Sequence, residues 1–311
     1  MKHSAAFLSL LLAAGSAHAT GLLQPVVQEG EAILVIGASL ENGGSPCELA
    51  EDGSGVENNT LFCGHVAFGA YLPLAAALQN RALVRGQVID EAIGGATTFA
   101  RGGFPTRLPD GSVPGEDDRS PVGWEQYGFN QQFVRAFSQV FNPTTTPPQV
   151  NARYVVIGVP NDCLHANAFL AAPANTDPDE CSEVDPETGK TGLEGLVDRL
   201  IGLGQAAIAS GLTPIYTGYP QYVTGGRTDG INLQVAQALF GFAWVISEAP
   251  YDDLLADYAT RIPATLGASN VIMADAWSPG YEHLGDGLHP TPAASTAAAI
   301  RIVLAIKQFE Q

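Results

Sequence analysis

The sequence predicts an α/β protein of three layers, α/β/α, with a central parallel sheet between two sets of helices. Two observations carry the prediction. Short runs rich in apolar and β-branched residues recur along the chain, at 32–37 (AILVIG), 87–91 (QVIDE), 153–158 (RYVVIG), 214–217 (PIYT) and 270–274 (NVIMA). A strand covered on both faces has no solvent side, so it lacks the polar alternation of a half-exposed strand. Longer stretches with apolar residues at helical spacing separate or follow these runs, at 65–79, 126–141, 193–210, 231–246 and 292–308. Parallel neighbours need a crossover of a dozen or more residues, ordinarily a helix that then covers one face of the sheet.

The elements are expected to share one domain, 20–311, a length that buries a substantial core without a second one. Before it, residues 1–19 read as a secretory signal peptide. Lys2 gives a basic start, 5–14 is an apolar run too short to span a bilayer, and Ala17-His18-Ala19 is a small-x-small cleavage site. The mature chain is therefore expected to be secreted, to the periplasm or beyond, with no integral membrane segment. The charge of the whole chain is one-sided, 14 Lys+Arg against 32 Asp+Glu, a net of −18, and removing Lys2 with the leader leaves 13 against 32, a net of −19. Nucleic-acid affinity comes from clustered cations on phosphates, so this balance argues against a nucleic-acid partner and is read as plain solubility.

Three stretches rich in Gly, Pro and acidic residues, 45–59, 102–123 and 171–192, interrupt the α/β pattern and are expected to be surface insertions. The acids Asp177, Asp179, Glu180, Glu183 and Asp185 lack the ordered ligand spacing of a calcium loop and read as a solvated face. The four cysteines lack the C-x-x-C or clustered-His spacing of a zinc site, so no metal is expected. In an exported chain cysteines pair. Of the three possible connectivities, the sequential one, Cys47–Cys63 with Cys163–Cys181, closes two short loops.

In an open parallel sheet, chemistry gathers beyond the carboxyl ends of the strands. Ser39 stands just after the first run, in Gly37-Ala-Ser-Leu40. A serine hydroxyl is a nucleophile only when a base takes its proton. The candidate base is His289 in Leu284-Gly-Asp-Gly-Leu-His-Pro-Thr291, where Asp286, three residues earlier, can hold the imidazole in one tautomer. After RYVVIG comes Asn161, whose carboxamide can donate to a developing oxyanion. After QVIDE comes Ala92-Ile-Gly-Gly-Ala-Thr97, where Gly95 lets a backbone N–H approach a substrate. His283 is read as an exposed neighbour of the Asp286 loop, and Asp162 as a residue that orders its turn.

Taken in order, Ser39, Gly95, Asn161 and Asp286-x-x-His289 resemble the four sequence blocks of the SGNH/GDSL hydrolase family, across nearly the whole of 20–311. LENGG after GAS and DGLHPTPAAS at the end are most similar to its lipase-type branch. Four positions depart from the pattern: Ala38 replaces the aspartate of GDSL, Asp90 stands where asparagine is frequent, Gly158 precedes Asn161 by three residues, and Ser295 stands where histidine is frequent. The resemblance implies a flavodoxin-like α/β/α fold and hydrolysis of carboxylic esters, as an esterase or lipase, through an acyl-enzyme. It implies Ser39 as nucleophile, His289 as base, Asp286 as its orienter, and an oxyanion hole of Ser39, Gly95 and Asn161. No cofactor is implied, and the substrate is a small-molecule or lipid ester. An acyltransferase on the same site, and a secreted binding protein on a decayed site, are the alternatives.

Overall fold

The computed structural model describes residues 25–42, 72–93, 96–98, 128–164, 181, 184, 186, 189–240, 245–277 and 281–311. Their elements run β1 (Ala32–Ile36), α1 (Leu74–Leu78), β2 (Gln87–Asp90), α2 (Phe129–Val140), β3 (Phe141–Asn142), β4 (Gln149–Val150), β5 (Ala152–Ile157), α3 (Gly192–Ala209), β6 (Thr213–Tyr216), α4 (Leu233–Phe240), α5 (Glu248–Leu266), β7 (Ile272–Met273) and α6 (Pro292–Phe309). The expected signal peptide, Gly95, the acidic set, and the Cys47–Cys63 pair lie outside the described residues.

Strand β1, bonded along both edges and packed against α2, is buried at every residue. It runs parallel to β2, with Val35 opposite Asp90, and parallel to β5, with Ile36 opposite Ile157. Strand β6 adds beyond β5 and β7 beyond β6, giving a five-stranded parallel sheet in the order β2-β1-β5-β6-β7. The three-layer α/β/α expectation is met. The step from β1 to β2 moves one way along the sheet, and the step from β2 back past β1 to β5 moves the other. With right-handed crossovers, α1 and α2 must then cover opposite faces. Helix α1 packs with α6, α2 lies against β1, and α3 packs with α5.

Local sequence explains where the helices begin. Thr191 caps α3 by accepting from the Glu194 N–H at 3.2 Å, while the Glu194 carboxylate accepts from the Thr191 N–H at 2.8 Å. Thr291 caps α6 by accepting from the Ala294 N–H at 3.3 Å, with Pro292 in the first turn, where a missing N–H costs nothing. Helix α5, EAPYDDLLADYATRIPATL, is not among the expected elements and carries prolines at 250 and 263. Pro250 falls in the first turn and is tolerated there. Tyr251, Leu254, Tyr258, Ile262 and Leu266 form the buried stripe that holds the helix despite Pro263. The short β3–β4 ladder is likewise additional.

Cys163 and Cys181 are joined, with Cα atoms 5.6 Å apart, as the sequential pairing requires. Among the described residues no helix is long and apolar enough to cross a membrane.

Helix α3 meets the sheet closely at Gly204. A Cβ there would lie 2.3 Å from the Tyr216 hydroxyl and 2.6 Å from Leu266 Cδ1. The Tyr216 hydroxyl has no room to retreat, since it is buried and donates to the Leu200 carbonyl at 2.6 Å. Gly204→Val is expected to overpack this contact at a cost of about 1–3 kcal/mol. Thermal unfolding followed by circular dichroism should show a midpoint lower by roughly 2–4 °C per kcal/mol.

Candidate active site

Ser39 sits two residues beyond Gly37, at the carboxyl end of β1 and beside β5. There the strand order reverses, and in sheets of this kind the connections diverge and leave a crevice. The strand end is pinned by Gln132 from the buried side of α2. Its Oε1 accepts from the Gly37 N–H at 2.8 Å and its Nε2 donates to the Gly37 carbonyl at 3.1 Å. Beyond it the chain turns sharply, with the N–H groups of Glu41 and Asn42 both donating to the Ala38 carbonyl, at 3.2 and 3.0 Å. The turn buries Ala38, Leu40 and Glu41 and leaves Ser39 partly exposed at its crest.

Asn161 follows β5 and is held against Ala96, the neighbour of Gly95. Its backbone N–H donates to the Ala96 carbonyl at 2.9 Å and its carboxamide Nδ2 donates to the same oxygen at 3.3 Å. The next residue tightens this junction. Asp162, buried to 1% exposure, accepts from the Thr98 N–H at 2.7 Å and from the Thr98 hydroxyl, and Arg199 of α3 reaches its Oδ1 at 3.0 Å. The Arg199 Nε also donates to Thr98 Oγ1 at 2.5 Å. A buried carboxylate needs such partners, and they tie the segment after Gly95 to the segment carrying Asn161. The turn-ordering role expected of Asp162 thus extends to a second loop.

Asp286 and His289 lie between β7 and α6, again beyond the carboxyl ends of the strands. His289 is fully buried, and its Nδ1 is 2.7 Å from Asp286 Oδ2. Asp286 Oδ1 accepts from the N–H groups of Leu288 and His289, both at 2.9 Å. Burial by itself would raise the Asp286 pKa. The hydrogen bond and charge of the His289 ring, with the two backbone N–H groups, outweigh it and hold the carboxyl below the usual carboxylate range. Asp286 is therefore ionised at neutral pH and can only accept, so Nδ1 of His289 carries a proton. The stability this contributes is present above the ordinary carboxylate pKa and is lost as pH falls through the lowered value.

The same loop corrects the reading of His283, which is buried at 5% exposure rather than exposed. Its Nδ1 accepts from the N–H groups of Gly285, at 2.9 Å, and Gly287, at 3.3 Å, on either side of Asp286. Its Nε2 lies 3.3 Å from the Arg227 carbonyl and so carries the ring proton. The loop closes as a small hairpin, with Leu284 N–H donating to the His289 carbonyl at 2.9 Å and Thr291 N–H to the Glu282 carbonyl at 2.7 Å. Gly287 lets it dock on α4, since a Cβ there would fall 2.3 Å from the Asn232 carbonyl oxygen.

Of the residues expected at the site, Asp286 and His289 are thus bonded to each other, Ser39 and Asn161 stand at the ends of adjacent strands, and Gly95 lies outside the described residues. Sequence reasoning missed Gln132, Glu41 and the buried role of His283. Gln132 had a signal, a polar residue on the apolar side of α2 beside Phe129, Phe133 and Ala136. Among the described residues no group of three or more His, Cys, Asp or Glu is placed to hold a metal ion.

No family model matches the chain, and no curated protein matches it. Solved structures to which the chain is similar include a carbohydrate acetylesterase family member from Sinorhizobium meliloti, 12% identical over 90% of this chain and 98% of that one, with a TM-score of 0.45. An inhibitor-bound aryl esterase from M. smegmatis is 13% identical over 90% of this chain and 99% of that one, with a TM-score of 0.46. An acetyl-xylooligosaccharide esterase from a Geobacillus is 13% identical over 90% of this chain and 95% of that one, with a TM-score of 0.40.

The hairpin's dependence on His283 can be measured. His283→Leu leaves the N–H groups of Gly285 and Gly287 without their ring acceptor, at a cost of about 1–3 kcal/mol for each that stays buried. The urea midpoint should fall, and these two amides should exchange with deuterium much faster than those of α6.

Proposed function

We propose that this chain is a secreted serine hydrolase that cleaves carboxylic esters through an acyl-enzyme on Ser39. The observation that carries the reading is the buried His289–Asp286 pair, with Nδ1 2.7 Å from Oδ2 and the carboxylate fixed by two backbone N–H groups. An imidazole whose Nδ1 proton is committed to a carboxylate has Nε2 as its basic atom, which is what a serine hydroxyl requires. Ser39, partly exposed at the crest of the turn after β1, supports the choice of nucleophile.

The reaction then follows in two halves. Ser39 Oγ attacks the ester carbonyl as His289 Nε2 takes its proton, and Asp286 stabilises the resulting imidazolium. The negative charge on the carbonyl oxygen is received by the N–H groups of Ser39 and Gly95 and by the Asn161 carboxamide, whose plane is fixed by its bond to Ala96. The intermediate collapses, the alcohol leaves with the proton held by His289, and an acyl-Ser39 ester remains. Water, deprotonated by the same ring, attacks that ester and releases the acid and Ser39. Every proton and charge is handled by these side chains, so the chemistry calls for no cofactor. Small-molecule and lipid esters both fit this scheme.

Ser39→Ala is expected to lower the hydrolysis of p-nitrophenyl butyrate by roughly 10⁴- to 10⁶-fold and to abolish labelling by a fluorophosphonate, with an unchanged circular dichroism spectrum. A folded variant that keeps its activity would refute the nucleophile. Asn161→Ala should reduce kcat by about 10²- to 10³-fold with little change in KM, because its contact to the oxyanion forms mainly in the transition state. Steady-state kinetics that leave kcat untouched would remove Asn161 from the oxyanion hole.

A further inference from the structure

Glu41, two residues after Ser39, is fully buried although its side chain is acidic. Its Oε2 accepts from the Ala38 N–H at 3.3 Å, while its own N–H donates to the Ala38 carbonyl at 3.2 Å. The two contacts close the turn from both ends, with Ser39 between them. The strands on either side make room for this carboxyl. A Cβ on Gly37, at the end of β1, would lie 2.6 Å from Glu41 Oε2, and one on Gly158, at the end of β5, would lie 2.1 Å from Glu41 Cδ. Neither glycine has a positive φ, so neither is required by its backbone conformation. Both leave the space that the Glu41 side chain fills.

The groups that act on this carboxyl come from several elements among the described residues. They are the N–H groups of Ala38 and Val159, the Trp277 indole, the Asp90 carboxylate of β2, and the phenols of Tyr219 after β6 and Tyr258 of α5. None of these is a cation. A buried, uncompensated carboxylate is costly, so the carboxyl is present as the neutral acid. Burial pushes its pKa up to about 8, the N–H groups and the indole oppose the rise, and Asp90 adds to it.

We propose, resting on Ser39 being the nucleophile, that Glu41 is its positioning residue: a neutral carboxylic acid wedged between the ends of β1 and β5 that props the nucleophile turn from below. Two consequences have a definite sign. The folded state binds the Glu41 proton more tightly than the unfolded chain does, so this group's contribution to stability falls as pH rises from its ordinary value through about 8. Over the same alkaline range an anion appears beneath Ser39, opposing the charge that develops on the substrate oxygen, and the rate falls with it.

The experiment compares wild type, Glu41→Gln and Glu41→Leu from about pH 6 to about pH 10, by the rate of fluorophosphonate labelling, by kcat and KM for p-nitrophenyl butyrate, and by thermal midpoint. Glu41→Leu should slow labelling roughly 10- to 100-fold, as for a misplaced nucleophile, with the loss in kcat rather than KM. Glu41→Gln, similar in size and never charged, should restore the lost rate and should lack the alkaline fall in both rate and midpoint. If Glu41→Leu does not fold, the pH profiles of wild type and Glu41→Gln decide alone. A Gln variant with the same alkaline fall as wild type, or a Leu variant labelled at the wild-type rate, overturns the proposal. A wild type that takes no label at Ser39 overturns the hydrolase reading itself, a result distinct from labelling that ignores Glu41.

Discussion

Strand β1 must find hydrogen-bond partners on both of its edges, and the rest of the molecule is arranged around that requirement. Its residues, AILVI, are all buried and have no use for water on either face. With β2 on one side and β5 on the other, the chain leaves β1 towards β2 while the chain leaving β5 goes the other way, to β6. In sheets of this order that divergence is where a crevice forms, and Ser39 follows the end of β1 there. Gln132 and Glu41 are responses to the same geometry. Once the strand stops at Ile36, the N–H groups of Gly37 and Ala38 are met by side-chain oxygens, those of Gln132 and Glu41, in place of strand carbonyls.

The three segments that carry the candidate site residues are each stabilised by bonds within the chain. The Ser39 turn is closed by Glu41, the Asn161 segment is tied to Ala96 and Thr98, and the Asp286 hairpin is built around a histidine ring. Catalysis by fixed dipoles depends on such preorganisation, since groups that must move to meet a developing charge spend part of the interaction on their own rearrangement. The Asp162–Thr98–Arg199 cluster also binds two loops of the sheet's end to a helix that starts far along the chain. A shift in α3 would therefore be felt beside Asn161.

Much of this was legible in the sequence, and the reasons for success and failure are physical. The β1 and β5 runs announce themselves because strands buried on both faces are uniformly apolar. Ser39, Asn161 and the Asp286–His289 pair could be singled out because they stand just beyond such runs or just before a helix with a threonine cap. Helix α5 was missed, and its stripe of tyrosines and leucines becomes evident only in its packing on α3. Gln132 and Glu41 were missed for a different reason. A polar residue in an apolar setting is informative only once its partner is known, and the partners here are backbone groups 95 and 3 residues away. His283 was misjudged because a ring that serves as a scaffold for two amides has no local sequence signature.

The pairing register of β1 also sets an order of events in the life of each molecule. Ala32 pairs with Ala152 on the β5 side, so the most apolar strand of the sheet is synthesised about 120 residues before one of its two neighbours exists. At cellular elongation rates of about 5–20 residues per second, that is on the order of ten seconds with an unpaired hydrophobic edge. Contacts of such sequence separation also close slowly, because the intervening chain must be ordered first. The strand that anchors the candidate site is thus the earliest of the sheet to be made and waits for a partner from the middle of the chain, which puts the nascent chain's exposure to aggregation, and its need for protection, at the amino-terminal end of the fold.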